Sequence, residues 1–123
     1  MHIKDITINM ERYEDMEWEA LVWAICQVES GCDDRATNPS SSAAGRFQML
    51  CGYVDEVNRI QDKNIYHYQD RFDSVKARQM FDIYQAYYNP EKDIDKAIIL
   101  HRGKVSYGYM NKIKNEIRRK LWN

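Results

Sequence analysis

The stretch EDMEWEALVWAICQVESG, residues 14–31, constrains this chain more than any other. Leu21, Ile25 and Val28 recur at spacings of four and three, which puts them on one side of an α-helix. Met16, Val22, Ala24 and Cys26 widen that stripe until it reads as core. A helix is predicted from about Glu14 to Ser30, and Gly31 supplies the residue that tolerates the left-handed conformation at a helix end. The last turn therefore carries Glu29, a carboxylate placed where the helix dipole is itself negative. That position raises a carboxyl pKa, and so does burial against Val28 and Ile25. A raised pKa lets a carboxyl keep its proton and act as a general acid. The plainer alternative is a solvated glutamate on a fraying last turn.

The remaining segments are helical in pattern. CGYVDEVNRIQ reads as a short helix through Val54, Val57 and Ile60. Asp73 or Ser74 caps DSVKARQMFDIYQAYY, with Val75, Met80, Phe81, Ile83, Tyr84 and Tyr87 as its apolar face, and Pro90 ends it. Asp93 caps IDKAIILHRG, in which Ile94, Ala97, Ile98 and Leu100 are expected to be buried, and Gly103 stops it. Ser106 opens a final helix with Met110, Ile113, Ile117 and Leu121 on one face, its basic residues towards the C-terminal end. CDDRATNPSSSAAG is a loop by composition, RFQML a short apolar segment, and NIYHYQDRF has no clear assignment. No strand signal competes. The expected fold is all-α, about five to seven helices around one core, in a single domain spanning 1–123.

Charge narrows the function classes. A net charge of −1, with no RNP-like or Gly-rich phosphate motif, points away from nucleic acid. The charge is polarised, however: seven acids against two bases in the first thirty residues, eight bases against two acids in the last thirty. Solvated helix faces are the simple explanation, and a basic face meeting an anionic polymer is the sharper one. No run of 18 apolar residues is present, so membrane insertion is not expected. Nor does MHIKDITINM have the apolar stretch of a signal peptide.

Cys26, Cys32 and Cys51 leave at least one thiol unpaired. Their spacing fits no zinc pattern, and His2, His67 and His101 do not cluster with them, so no metal and no organic cofactor is implied. Cys26 is expected to pack as a small hydrophobe. A Cys32–Cys51 bridge is conceivable in an oxidising compartment, but free thiols are the expectation.

Taken together, VESGCDDRATNPSSSAAGRFQM resembles the signature of the lytic transglycosylase and goose-type lysozyme families, with a looser likeness over residues 94–110. In those families a helix ends in Glu-Ser-Gly, a polar loop follows, and a Gly-x-x-Gln-(Met/Ile/Leu) segment closes the site. Here Glu29, Ser30 and Gly31 match the first block, and Gly45, Gln48 and Met49 the second, with nineteen residues from Glu29 to Gln48. The families' late aromatic-Asn-Ala-Gly segment is matched only in order by ILHRGKVSYGYM, which has His101 for the aromatic and Arg102 for the asparagine.

The resemblance implies a lysozyme-like helical fold with a cleft. It also implies cleavage of the β-1,4 bond between N-acetylmuramic acid and N-acetylglucosamine in peptidoglycan. Glu29 would be the general acid and then the base. Gln48, Met49 and Ser30 would hold substrate, with His101 and Tyr107 as further contacts; Tyr109, Tyr66 and Tyr68 are additional stacking candidates. Asp33 and Asp34 are candidates for a second carboxylate, though turn hydrogen bonds explain them more simply. With one glutamate, a transglycosylase is favoured over a hydrolytic muramidase. The partners implied are bacterial peptidoglycan glycan strands, met by a monomer at the periplasmic cell wall. The small size and absence of a leader look like a bacteriophage enzyme. The alternative is a non-catalytic glycan-binding or assembly protein on the same fold, which the departures at His101 and Arg102 motivate; a helical partner-binding module using the basic last helix is a third.

Overall fold

A computed structural model describes residues 3–122, with side chains from residue 9 onward. The described residues form five α-helices and no strand: α1 (Ile3–Ser30), α2 (Cys51–Gln61), α3 (Ser74–Tyr88), α4 (Ile94–Arg102) and α5 (Tyr107–Trp122). A 3₁₀ turn, Tyr68–Phe72, precedes α3 and occupies most of the segment that the sequence left unassigned. The all-α expectation is met.

The local signals that start and stop these helices are the ones legible in the chain. Asp73 accepts from the backbone N–H groups of Val75 and Lys76, and Asp93 from that of Lys96, so each satisfies donors of a first turn. Ser106 Oγ accepts from Tyr109 N–H at 3.1 Å and opens α5. Gly103, at φ 86°, ends α4.

The core is the α1 stripe meeting the other helices. Leu21 and Ile25 are wholly buried, together with Met80 and Phe81 of α3, Ile98 of α4 and Ile113 of α5. Burying each such side chain contributes about 1.5–3 kcal/mol. α5 lies along α1, α2 and the 3₁₀ turn pack on α3, and α4 touches α1, α3 and α5. The C-terminal ends of α1 and α4 and the first turn of α5 thereby converge, bringing Glu29, Arg102 and Tyr109 into contact.

Several expectations are corrected. α1 begins at Ile3 rather than near Glu14: Ile3, Ile6, Met10 and Tyr13 recur at spacings of three and four, so the helical pattern starts ahead of the core stripe. Met16, Val75 and Tyr87 are exposed, since each sits on the flank of its helix turned away from the core. Ile94 and Leu100 are half-buried because α4 is covered on one side only. The thiols are not all free: Cys26 and Cys32 form a disulfide, leaving Cys51 as the free cysteine. The left-handed residues Gly31 and Cys32, φ 69° and 58°, fold the chain back over the helix end. Cys32 N–H then reaches the Cys26 carbonyl at 3.0 Å and the two Cα atoms stand 4.7 Å apart, within bonding reach.

Candidate active site

Glu29 sits on the last turn of α1, and its side chain is only 9% exposed. The helix end behind it is fixed three ways. Gly31 N–H and Cys32 N–H bond the Gln27 and Cys26 carbonyls, and the disulfide bridges the same span. Ser30 Oγ donates to the Arg46 carbonyl at 2.8 Å and accepts from Asp33 N–H at 3.0 Å. Ser30 thus ties the helix end to the segment that carries Gly45, Gln48 and Met49.

Two side chains from other helices meet the carboxylate. Arg102 Nη1 donates to Oε1 at 2.9 Å and stands 3.4 Å from Oε2, and Tyr109 donates its hydroxyl to Oε2 at 3.1 Å. The guanidinium also lies over the Tyr109 ring, 4.2 Å from its centre. Burial pushes the Glu29 pKa up and outweighs the opposing pull of the Arg102 charge and the Tyr109 hydrogen bond. Burial, then the neighbouring Glu29 charge, raises the Tyr109 phenol well above its ordinary value, so it remains a neutral donor. The arrangement is a carboxyl whose neutral form is favoured by burial, with a cation and a hydroxyl on the same oxygens.

The neighbouring acids are engaged elsewhere. Asp33 Oδ1 accepts from Arg35 N–H at 2.9 Å, a turn contact. Asp34 makes a bidentate pair with Arg46, at 2.7 and 3.1 Å, whose hydrogen bonds hold its carboxyl below the usual range.

The segment opposite is a tight structure of its own. Ala44 and Met49 exchange backbone hydrogen bonds at 3.0 and 3.1 Å around a turn in which Gly45 holds φ 76° and Gln48 φ 51°. Gln48 Nε2 donates to the Gly45 carbonyl at 2.9 Å and the Ala36 carbonyl at 3.3 Å. With its amino group committed to the backbone, the side chain offers an acceptor oxygen to a ligand. Met49 is 2% exposed and packs in the core, so it contributes backbone shape rather than a ligand surface. Arg71, itself buried, reaches in from the 3₁₀ turn and donates to the Ser42 carbonyl, to that of Met49 at 3.0 Å, and to that of Tyr68 at 2.7 Å.

His101 closes the segment from α4. Its Nε2 lies 2.7 Å from the Phe47 carbonyl, which can only accept, so Nε2 carries the hydrogen. Nδ1 is enclosed without a partner, and the ring is surrounded by those of Phe47, Tyr53 and Phe81. Burial, aided by the Arg102 charge, pushes its pKa down to about 4 and keeps it neutral. His101 is thus a carbonyl partner that positions the loop. Tyr107 is 83% exposed and stands clear of the carboxylate, and the tyrosine that meets Glu29 is Tyr109. Tyr66 and Tyr68 bond Gln79 and Asp55, away from Glu29.

Of the residues singled out in the sequence, the structure joins Glu29 and Ser30 to the 45–49 segment and brings Arg102 and Tyr109 onto the Glu29 carboxylate. The sequence marks Arg102 only as a departure and Tyr109 only as a stacking surface; that both bond Glu29 depends on the packing of α4 and α5 against α1. Among the described residues, no group of three or more His, Cys, Asp and Glu side chains is arranged to hold a metal ion, and no helix is long and apolar enough to cross a membrane. Comparison with protein-family models, curated proteins and solved structures returns no match to this chain.

Proposed function

We propose that this chain is a lysozyme-like peptidoglycan-cleaving enzyme that breaks the β-1,4 bond between N-acetylmuramic acid and N-acetylglucosamine, with Glu29 as acid and then base. The observation that carries this reading is the Glu29 carboxyl itself, buried at a helix C-terminus with a raised pKa and held by Arg102 and Tyr109. Protonated, it delivers its proton to the bridging oxygen as the C1–O bond breaks and positive charge develops on the ring. The resulting carboxylate then removes the proton of the muramoyl 6-hydroxyl, which closes on C1 to give a 1,6-anhydro product. The Tyr109 hydroxyl and the Arg102 guanidinium stabilise the carboxylate formed in between.

A transglycosylase is favoured over a hydrolytic muramidase. A hydrolase of the common type needs a second carboxylate, and Asp33 and Asp34 are committed to a turn and to Arg46. Gln48, whose amide oxygen faces no protein donor among the described residues, is suited to accept from an N-acetyl N–H or a sugar hydroxyl.

Glu29→Gln should abolish release of soluble muropeptides from purified sacculi while melting close to wild type. Mass spectrometry of the wild-type products should show 1,6-anhydro ends; reducing muramic acid would reassign the chain as a hydrolase. Undiminished release by Glu29→Gln would overturn the role of Glu29. A second reading, a glycan-binding protein without catalysis, draws on the Arg102 ion pair, which favours the charged form of the acid. It predicts that the wild type binds sacculi and releases nothing.

A further inference from the structure

We propose, resting on the reading of Glu29 as the acid, that Arg102 is a positioning residue that couples protonation of Glu29 to an anionic substrate. A carboxylate on the bound glycan takes the guanidinium from Glu29, and Glu29 then takes up a proton.

The pair is asymmetric in a way that suits this exchange. The Arg102 side chain is 47% exposed and that of Glu29 9%, so the cation is the face of the pair that an incoming ligand meets. Arg102 engages Glu29 through Nη1 alone, and no other protein acceptor among the described residues takes a hydrogen bond from its remaining N–H groups. A guanidinium has five donors, so a second carboxylate can dock before the first contact is given up. Stacking on Tyr109 keeps its plane in place during the change. Arg102 is also the last residue of α4, next to Gly103, around which a side chain would find open space.

The electrostatics follow from the groups that face Glu29. Arg102 comes from α4 and Tyr109 from α5; Arg46, in the segment tied to Ser30, is already paired with Asp34. Once Arg102 turns to the substrate anion, burial and one phenol remain, and burial favours the neutral acid. The change is Glu29 carboxylate plus one solvent proton giving the carboxylic acid, and that proton is the one passed to the glycosidic oxygen. The substrate class selected is a muramoyl glycan carrying a free lactyl carboxylate beside the scissile bond. A neutral chain would leave Arg102 on Glu29, where its charge opposes protonation.

The test compares denuded glycan strands with free lactyl carboxylates against the same strands after conversion of those carboxylates to amides. The wild type should favour the anionic strands by about tenfold in kcat/KM, the size of one charge-assisted contact. Arg102→Gln should remove the preference, and Arg102→Lys should restore part of it. The rate on anionic strands should also fall at higher pH in Arg102→Gln, where no cation opposes protonation of Glu29, than in wild type on amidated strands. Retention of the full preference by Arg102→Gln overturns the proposal. Turnover of either strand by Glu29→Gln is instead a failure of the reading of Glu29. Where Arg102→Gln or the wild type turns over neither strand, calorimetry with the anionic anhydro-disaccharide, in two buffers of different ionisation enthalpy, decides. Proton uptake by wild type and none by Arg102→Gln supports the proposal, and equal uptake overturns it.

Discussion

Gly31 and Gly45 both hold positive φ, 69° and 76°, and both belong to the short blocks that frame Glu29. They differ in what a side chain would meet. A Cβ on Gly31 finds nothing within 4 Å, whereas one on Gly45 would overlap the Arg71 carbonyl oxygen and lie 2.8 Å from its carbon. Gly31→Ala therefore faces only the left-handed penalty of about 1–2 kcal/mol, offset by about 0.4–1 kcal/mol from the stiffer unfolded chain, for a net loss of about 1 kcal/mol. Gly45→Ala faces that and more. Main chain must move on the order of 1 Å to restore ordinary contact, and both partners are pinned. Gly45 N–H is bonded to the Ala36 carbonyl at 2.8 Å, and Arg71 holds the Ser42 and Met49 carbonyls. Losing two or three of these bonds at about 1 kcal/mol each brings the total to about 3–4 kcal/mol. Urea unfolding at neutral pH reads both. With a slope of about 1.5 kcal/mol/M, the midpoint should fall by about 2 M for Gly45→Ala and by less than 1 M for Gly31→Ala. Equal shifts would refute the reasoning, since the Arg71 contact alone separates the two sites.

Reduction of the Cys26–Cys32 bridge opens a loop of six residues' separation, so it should lower stability by about 2 kcal/mol and the melting temperature by about 6–10 °C; an unchanged melt with reductant would show the bridge to be absent. His101 has its pKa lowered from 6.5 to about 4, so its contribution is fully present above pH 6.5 and is lost as pH falls towards 4, by about 3 kcal/mol. His101→Gln should flatten that part of the acid unfolding curve, and an acid slope equal to wild type would contradict it. Glu29 acts with the opposite sign: its raised pKa gives stability that is present in acid and declines as pH rises above the ordinary carboxylate range. Glu29→Gln should therefore remove a decline on that side, read as the difference between the two pH–stability curves.

Much of the scaffold is written locally, and that part was legible. The Leu21, Ile25 and Val28 stripe, the Asp73 and Asp93 caps and the Gly31 and Gly103 stops each depend on a few neighbouring residues. What depends on packing was not. The outward flanks of α3 carry Val75 and Tyr87 that look apolar enough to be core. Cys32 reaches Cys26 only because two successive residues turn left-handed, although the glycine after Ser30 was a usable hint. In the site, Glu29 and Gln48 were readable as motif residues. Arg102 and Tyr109 were in view as a departure and a stacking candidate, but their contact with the acid comes from the meeting of α4 and α5 with α1 and has no signature in the chain.

The segment that Ser30 ties to the end of α1 is gripped from three directions, by Ser30 of α1, Arg71 of the 3₁₀ turn and His101 of α4, and every grip ends on a backbone carbonyl: Arg46, Ser42 with Met49, and Phe47. Its path is consequently dictated by main chain, and in the exposed stretch 38–42 the Asn38, Ser41 and Ser42 side chains accept from the backbone N–H groups of Ser40, Ala43 and Cys51. That makes this stretch a mould whose outer surface can be rewritten at Pro39 and Ser40, which are exposed: substitutions there should alter what is recognised without altering how the acid is framed.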